Sequence, residues 1–87
     1  MEKLFKQMME EKHDFYHYMD LEEDCTDPTI KAKLHTIAGQ EAQHYKDLYD
    51  IVFKEVPGHT WTEMERWVCH EAKEWYDEMV EHWKSVK

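Results

Sequence analysis

The chain has 87 residues, enough for one small domain, and a chain this short buries a limited fraction of its surface, so a metal, disulfides or assembly would help to stabilise it. With 20 acidic and 11 basic residues, the formal charge is -9, which argues against nucleic acid as a partner and favours attraction of cations. Residues 1–7 lack the apolar core of a signal peptide, and no run approaches the ~20 apolar residues of a membrane span. We therefore expect a cytoplasmic protein with no membrane partner.

The first predicted helix runs from residue 2 to residue 25 and carries one acid within its apolar stripe. Positions at steps of four and three lie on one helix face, and here they are Leu4, Met8, Glu11, Phe15 and Tyr18. Burying a carboxylate without a partner is costly. Glu11 is therefore expected to have a partner.

Asp27 and Pro28 predict a chain reversal and the start of a second helix over residues 28–55, because aspartate suits the N-cap and proline the first helical position. Glu41 and His44 form a Glu-x-x-His pair in this helix, and their spacing directs both side chains toward one point. The pair interrupts a stripe that we predict to be the buried face of the helix: Ile30, Leu34, Ile37, Glu41, His44, Leu48 and Ile51.

The polar residues of the two stripes lie at one level of the predicted hairpin. With a rise of ~1.5 Å per residue, Glu11, Glu41 and His44 lie roughly 23, 22 and 27 Å from the turn. Buried carboxylates and imidazoles persist when they are paired or when they coordinate a metal. We predict a metal site, against the alternative of glutamates at the stripe edge and a hydrogen-bonded core histidine.

A third helix is predicted over residues 60–86, opened by a capping box between Thr60 and Glu63. Trp67 points away from the apolar stripe of this helix, so the helix offers more apolar surface than one hairpin can cover, which predicts subunit contacts. The stripe itself is Trp61, Met64, Val68, Ala72, Trp75, Met79, Trp83 and Val86.

Two groups outside the stripes have both a structural and a functional interpretation. Glu71, Glu78 and His82 lie on the flank of the third helix, where they form either solvated ion pairs or a rival metal site within one chain. Cys25 and Cys69 have neither zinc-ribbon spacing nor the density of a secreted disulfide scaffold, so two reduced thiols are expected.

Residues from about 5 to 52 resemble one half of a ferritin-like di-iron bundle. The resemblance rests on Glu11, on Tyr18 seven residues later, on Asp27-Pro28 at the turn, and on Glu41-x-x-His44. Within that superfamily the chain most resembles the encapsulated ferritins, short proteins with one such hairpin and a shorter C-terminal helix. The resemblance implies that Glu11, Glu41 and His44 are iron ligands.

The same resemblance assigns further roles. It places Tyr18 close to the metal centre, as a candidate catalytic residue, and Glu10 on the metal entry route. His13 stands where that route usually has another acid. The resemblance also implies an encapsulin shell as a partner and its interior as a location, but residues 81–87 show no Gly- and Leu-rich docking tail, so both stay open.

The predicted architecture is all-α: one ferritin-like domain over residues 1–87, with an antiparallel helical hairpin and a third helix. A ferritin-type centre needs two Glu-x-x-His units and two further glutamates, so two chains related by a two-fold axis would complete a four-helix bundle and its site. A homodimer or a higher homo-oligomer is expected. The implied function is a ferroxidase that oxidises Fe(II) to Fe(III) with O2 at a di-iron centre holding two ions per dimer, for iron storage or detoxification. Mn, Co or Zn are alternative occupants of the same ligands.

Two other classes of function are consistent with the sequence. Peroxide reduction of the rubrerythrin type would need an electron source, and the chain has no rubredoxin-like cysteine pairs. A non-enzymatic metal-binding or structural helical module, such as a shell or phage component, would use the buried acids and histidine to fix the register of the helices. The metal content of the purified protein would distinguish these classes.

Overall fold

A computed structural model describes residues 2–54 and 62–86, which form three helices and no strand. They are α1 (Glu2–Asp24), α2 (Pro28–Lys54) and α3 (Glu63–Ser85). The predicted all-α class is confirmed, and α1 ends one residue before its predicted end. The predicted last residue of the second helix lies outside the described residues. No helix within the described ranges is long and apolar enough to cross a membrane.

The reversal between α1 and α2 forms as the sequence predicts. The Asp27 side chain accepts hydrogen bonds from the backbone N–H groups of Thr29 at 2.9 Å and Ile30 at 3.2 Å. These bonds satisfy two of the amides that a helix start leaves without partners. At the other end of the turn, the Cys25 N–H donates to the Glu22 carbonyl at 3.1 Å. The two helices are therefore joined by three residues and lie antiparallel.

The start of α3 differs from the prediction. The N-cap is Thr62, whose side chain accepts from the Glu65 N–H at 3.1 Å while the Glu65 carboxylate accepts from the Thr62 N–H at 3.0 Å. The predicted capping box pairs Glu63 with Thr60, which lies outside the described residues; the same Thr-x-x-Glu pattern recurs two residues later, and α3 uses this later copy. α3 begins at Glu63 rather than at residue 60.

The third helix covers one face of the hairpin. Tyr45 Oη donates to the Ala72 carbonyl at 2.7 Å, and Trp83 Nε1 donates to the His35 carbonyl at 2.8 Å. An ideal Cβ on Gly39 would lie 3.1 Å from the Trp83 ring, so glycine permits this close approach. Lys12 Nζ lies 4.4 Å from the centre of the Trp75 ring, which brings α1 into the same contact.

The buried face of α2 is shifted by one position from the predicted stripe. The described core residues, all at most 6% exposed, are Met8, Phe15, Met19, Ala38, Ala42, Tyr45, Tyr49, Val52, Ala72 and Met79. The predicted face of α1 is largely confirmed, since Met8 and Phe15 are buried. The predicted face of α2 is wrong for the single chain, in which Ile30 and Ile51 are 53% and 39% exposed. Alanines let the helices approach closely, and the tyrosines fill the space toward α3.

The predicted stripe of α3 is confirmed for Ala72, Trp75, Met79, Trp83 and Val86. Ala72 and Met79 are buried, Trp75 and Trp83 pack against the core, and Trp67 is 59% exposed, as expected for a residue that points away. The prediction for Trp61 and for the Met64 side chain falls outside the described residues. Cys25 and Cys69 are free thiols, as predicted.

The opposite side of the hairpin, which we call the open face, is not covered by α3. His44 follows His35 by nine residues, and Leu21 follows Lys12 by nine, so each projects about 180° away from a residue that contacts α3. The aliphatic residues that occupy this side are Leu21, Ile30, Leu34, Ile37, Leu48 and Ile51. The predicted stripe of α2 therefore lies on a half-exposed apolar surface, and the core is built from the positions one residue later.

Candidate metal centre

The structure brings the three predicted ligands together on the open face. One ligand atom from each of Glu11, Glu41 and His44 lies within 4.8 Å of the other two. His44 Nδ1 is 3.7 Å from Glu11 Oε2 and 4.0 Å from Glu41 Oε2. These separations are too long for hydrogen bonds. They suit a shared cation, since two ligand atoms each ~2.1 Å from one metal lie about 3–4 Å apart.

The three side chains differ in burial. The side chains of Glu11 and Glu41 are 14% and 18% exposed, whereas that of His44 is 56% exposed. The expectation that His44 is buried is therefore wrong for the single chain, because His44 lies nearest the solvent side of the open face. The site consists of two recessed carboxylates with an imidazole at their rim.

The two carboxyl groups share an unfavourable environment. Burial and the hydrogen bond and negative charge of Glu11 raise the pKa of Glu41 to about 7. Burial also acts to raise the pKa of Glu11, but hydrogen bonds from Glu41 and Gln7 and the nearby His44 outweigh it and lower that pKa. One proton between the two groups relieves their repulsion. A bound cation would do the same and would displace that proton.

Two neighbours of the site were not predicted from the sequence. Gln7 Nε2 donates to Glu11 Oε1 at 3.1 Å, which fixes one oxygen of the carboxylate and leaves Oε2 toward His44. The negative charge of Asp14 contributes to the raised pKa of Glu41. The signal for Gln7 was its position one turn before Glu11, a spacing at which helical side chains meet.

The residues that the resemblance linked to catalysis and entry lie around the site. Tyr18 is half-buried and packs against the core, and among the described residues it makes no hydrogen bond with the three ligands. Glu10 and His13 are exposed and line one surface depression together with Asp14. Their roles in catalysis and in metal entry stay predictions.

The rival site on α3 does not form. In the described ranges, Glu11, Glu41 and His44 are the only group of three or more acidic, histidine or cysteine side chains close enough to hold an ion. The His82 ring instead lies 5.9 Å from the Tyr16 ring and 6.5 Å from the Phe15 ring, between centroids. Glu71, Glu78 and His82 therefore give no alternative centre within one chain.

A second glutamate–histidine pair, at the turn end of the hairpin, was not predicted. Glu22 is 2% exposed, and its Oε1 lies 2.9 Å from His35 Nδ1. The His35 ring stacks on Trp83 with centroids 4.4 Å apart, and Lys31 Nζ donates to the Glu22 carbonyl at 2.8 Å. Glu22 continues the stripe of α1 four residues beyond Tyr18, which is the signal that could have identified it.

Comparison with family models, with curated proteins and with solved structures found no match for this chain.

Proposed function

We propose that this protein is a ferroxidase, which binds Fe(II) at Glu11, Glu41 and His44 and oxidises it with O2 at a centre shared by two chains. The observation that carries the proposal is the convergence of two recessed carboxylates and one imidazole on the open face. Carboxylate oxygens with one imidazole suit iron, and the added negative charge favours Fe(III) over Fe(II).

The need for two chains follows from the ligand count and from the surface around the ligands. One chain supplies two carboxylates and one imidazole, which is half of the set used by ferritin-like di-iron proteins. Around the ligands, Leu21, Ile30 and Ile51 are 42%, 53% and 39% exposed. A second copy placed on this face by a two-fold axis would cover the aliphatic side chains and would double the ligand set.

The proposed reaction balances with two irons and one O2. Each Fe(II) gives one electron, O2 accepts both, and two protons from water complete hydrogen peroxide, which leaves two Fe(III). Glu11 and Glu41 would hold the irons and offset the charge gained on oxidation, while His44 would complete each set of ligands. Iron is the substrate in this scheme, and its storage or detoxification would follow from oxidation.

The first test measures oxidation. Protein is mixed with Fe(II) without oxygen and then exposed to air, and ferric absorbance is followed with time. We expect the wild-type protein to accelerate oxidation over buffer and Glu41→Ala to remove most of that acceleration. The matched control is Glu23→Ala, which removes the same charge from an exposed site on α1. Equal rates in buffer, wild type and Glu41→Ala would refute the proposal and favour a structural helical module.

The second test measures assembly. Because each chain holds half of the ligands, Fe(II) should shift monomers toward dimers or larger assemblies, as read by light scattering after size-exclusion chromatography under anaerobic conditions. Ile51→Glu would place a charge on the open face without removing a ligand, and should weaken this shift. Binding of two irons by a chain that stays monomeric would contradict the shared centre.

A further inference from the structure

A pair of histidines lies on the outer side of α1. His13 and His17 are four residues apart and both exposed. Residues at this spacing are offset by ~6 Å along the helix axis and by about 40° around it. Two histidines four apart on one helix face bind zinc in the H-E-x-x-H motif. The backbone of α1 thus presents both rings at a spacing suited to one metal ion.

Both rings are available for a ligand. Among the described residues, neither His13 nor His17 makes a hydrogen bond or an ion pair; the ring of His17 lies 5.9 Å from the Tyr18 ring, between centroids. Other histidines of the chain are engaged: His35 pairs with Glu22 at 2.9 Å and His70 Nε2 with Glu74 at 3.0 Å.

The pair is separate from the candidate iron centre. His13 follows Glu11 by two residues and so projects about 200° around α1 from it, which prevents the two from sharing a cation. Glu10 and Asp14 flank His13, with Lys6 in the same depression. The neighbouring Lys12 is directed over the Trp75 ring, 4.4 Å from its centre. The acids therefore outnumber the cations that face the pair.

We propose that His13 and His17 form a second metal site, which takes Zn²⁺, Cu²⁺ or Ni²⁺ in preference to Fe²⁺. Two imidazole nitrogens and no fixed carboxylate favour these borderline metals, and affinities for nitrogen ligands rise from iron to copper. Water completes the coordination. The site goes beyond the entry role that the resemblance gave to His13, since it involves His17 and a different class of metal.

The test is a zinc titration by calorimetry in the Glu41→Gln background, which weakens the iron centre. We expect one zinc per chain in this background, and an affinity that falls at least about tenfold with His17→Ala or His13→Ala, because each variant removes one of two protein ligands. The matched control is His70→Ala, which removes an exposed histidine with no second histidine four residues away and should leave the affinity unchanged.

A spectroscopic measurement completes the test. Zinc should shift the ring nitrogen signals of His13 and His17 together in NMR spectra. Unchanged affinity in His13→Ala and His17→Ala, no zinc binding by Glu41→Gln, or shifts confined to other histidines would overturn the proposal. His17→Ala should oxidise iron at the wild-type rate, so failure of the ferroxidase proposal can be distinguished from failure of this one.

Discussion

The hairpin holds two groups of glutamate and histidine side chains, one near the turn and one midway along the helices. They differ in how closely their side chains contact each other and in how exposed they are. At the turn end, His35 Nδ1 lies 2.9 Å from the carboxylate of Glu22, a residue that is only 2% exposed, and the Trp83 ring stacks on the imidazole. Midway along the helices, His44 lies 3.7 Å and 4.0 Å from its two carboxylates and is 56% exposed. The first group is satisfied within the chain, whereas the second leaves room for a cation.

The difference shows that residue type alone does not define a site. Both groups pair acid from α1 with imidazole from α2, and both lie on or near the apolar stripes. What separates them is the third helix, which covers His35 with Trp83 and leaves the open face without a cover. Removing one partner of a closed, buried pair is costly because the other is left without a partner, whereas an open group with like charges costs stability until a ligand binds.

The largest effect is expected from breaking the closed pair. Glu22→Ala should lower the free energy of unfolding by about 3 kcal/mol, because the variant leaves His35 without its buried partner. Urea unfolding of the metal-free protein measures this. The neighbouring exposed residue gives the control, since Glu23→Ala should change the free energy by no more than about 0.5 kcal/mol. Similar midpoints for both variants would show that the pair is not a stabilising contact.

The pH dependence of the open group has a defined sign. The pKa of Glu41 is raised from its ordinary 4.5 to about 7, so the folded chain holds this proton through that window. The stability that the bound proton provides is present below pH 4.5 and is lost as pH rises through 7. Glu11 acts in the other direction, because its lowered pKa gives stability that is lost only as pH falls in acid. In the metal-free protein, the two carboxylates therefore destabilise the fold most above pH 7.

An intermediate effect is expected from Glu11→Leu in the metal-free protein. At pH 8 this variant should raise the free energy of unfolding by about 1 kcal/mol, because it removes one of two repelling carboxylates at similar volume. The gain should shrink at pH 5, where Glu41 is protonated. Metal binding should be lost.

Thermal unfolding in chelator at both pH values measures the effect of Glu11→Leu. Glu10→Leu is the control, since that glutamate is exposed at the preceding position of the helix. A Glu11→Leu chain that melts at or below the wild-type temperature at pH 8, with metal binding intact, would remove Glu11 from the site.

The sequence was sufficient to predict the helical hairpin and the three residues that meet at the open face. The helices of the hairpin followed from Asp27-Pro28, and the meeting of Glu11 with Glu41 and His44 followed from the rise per residue in an antiparallel pair. The first depends only on local sequence, and the second only on helix geometry. Both could therefore be predicted without knowing where the third helix packs.

What could not be predicted depends on packing. The spacing of aliphatic residues predicts that the most aliphatic face of α2 is buried. The core instead contains alanines together with Tyr45 and Tyr49, which are buried because they pack toward α3; Tyr45 donates a hydrogen bond to the Ala72 carbonyl. The position of α3 relative to the hairpin decides which histidine is covered. The sequence also contains two equivalent Thr-x-x-Glu patterns, at Thr60 and Thr62, and sequence alone did not decide which of them begins α3.

The smallest effect is expected from Gln7→Ala, which tests whether the open group is oriented for a ligand. Gln7 donates to Glu11 Oε1 and so turns Oε2 toward His44; loss of an outer partner of this kind should weaken metal affinity by about tenfold or less without abolishing it. Gln43→Ala is a close control, because Gln43 makes the same contact with an acid four residues later, Asp47, at 2.9 Å. Both variants should keep wild-type stability, since both glutamines are exposed.

The Gln7 variant should also bring the Glu11 pKa closer to its ordinary value in NMR titrations, because a hydrogen bond that lowers this pKa is lost. A weaker metal affinity in both variants, or in neither, would mean that Gln7 does not position the carboxylate.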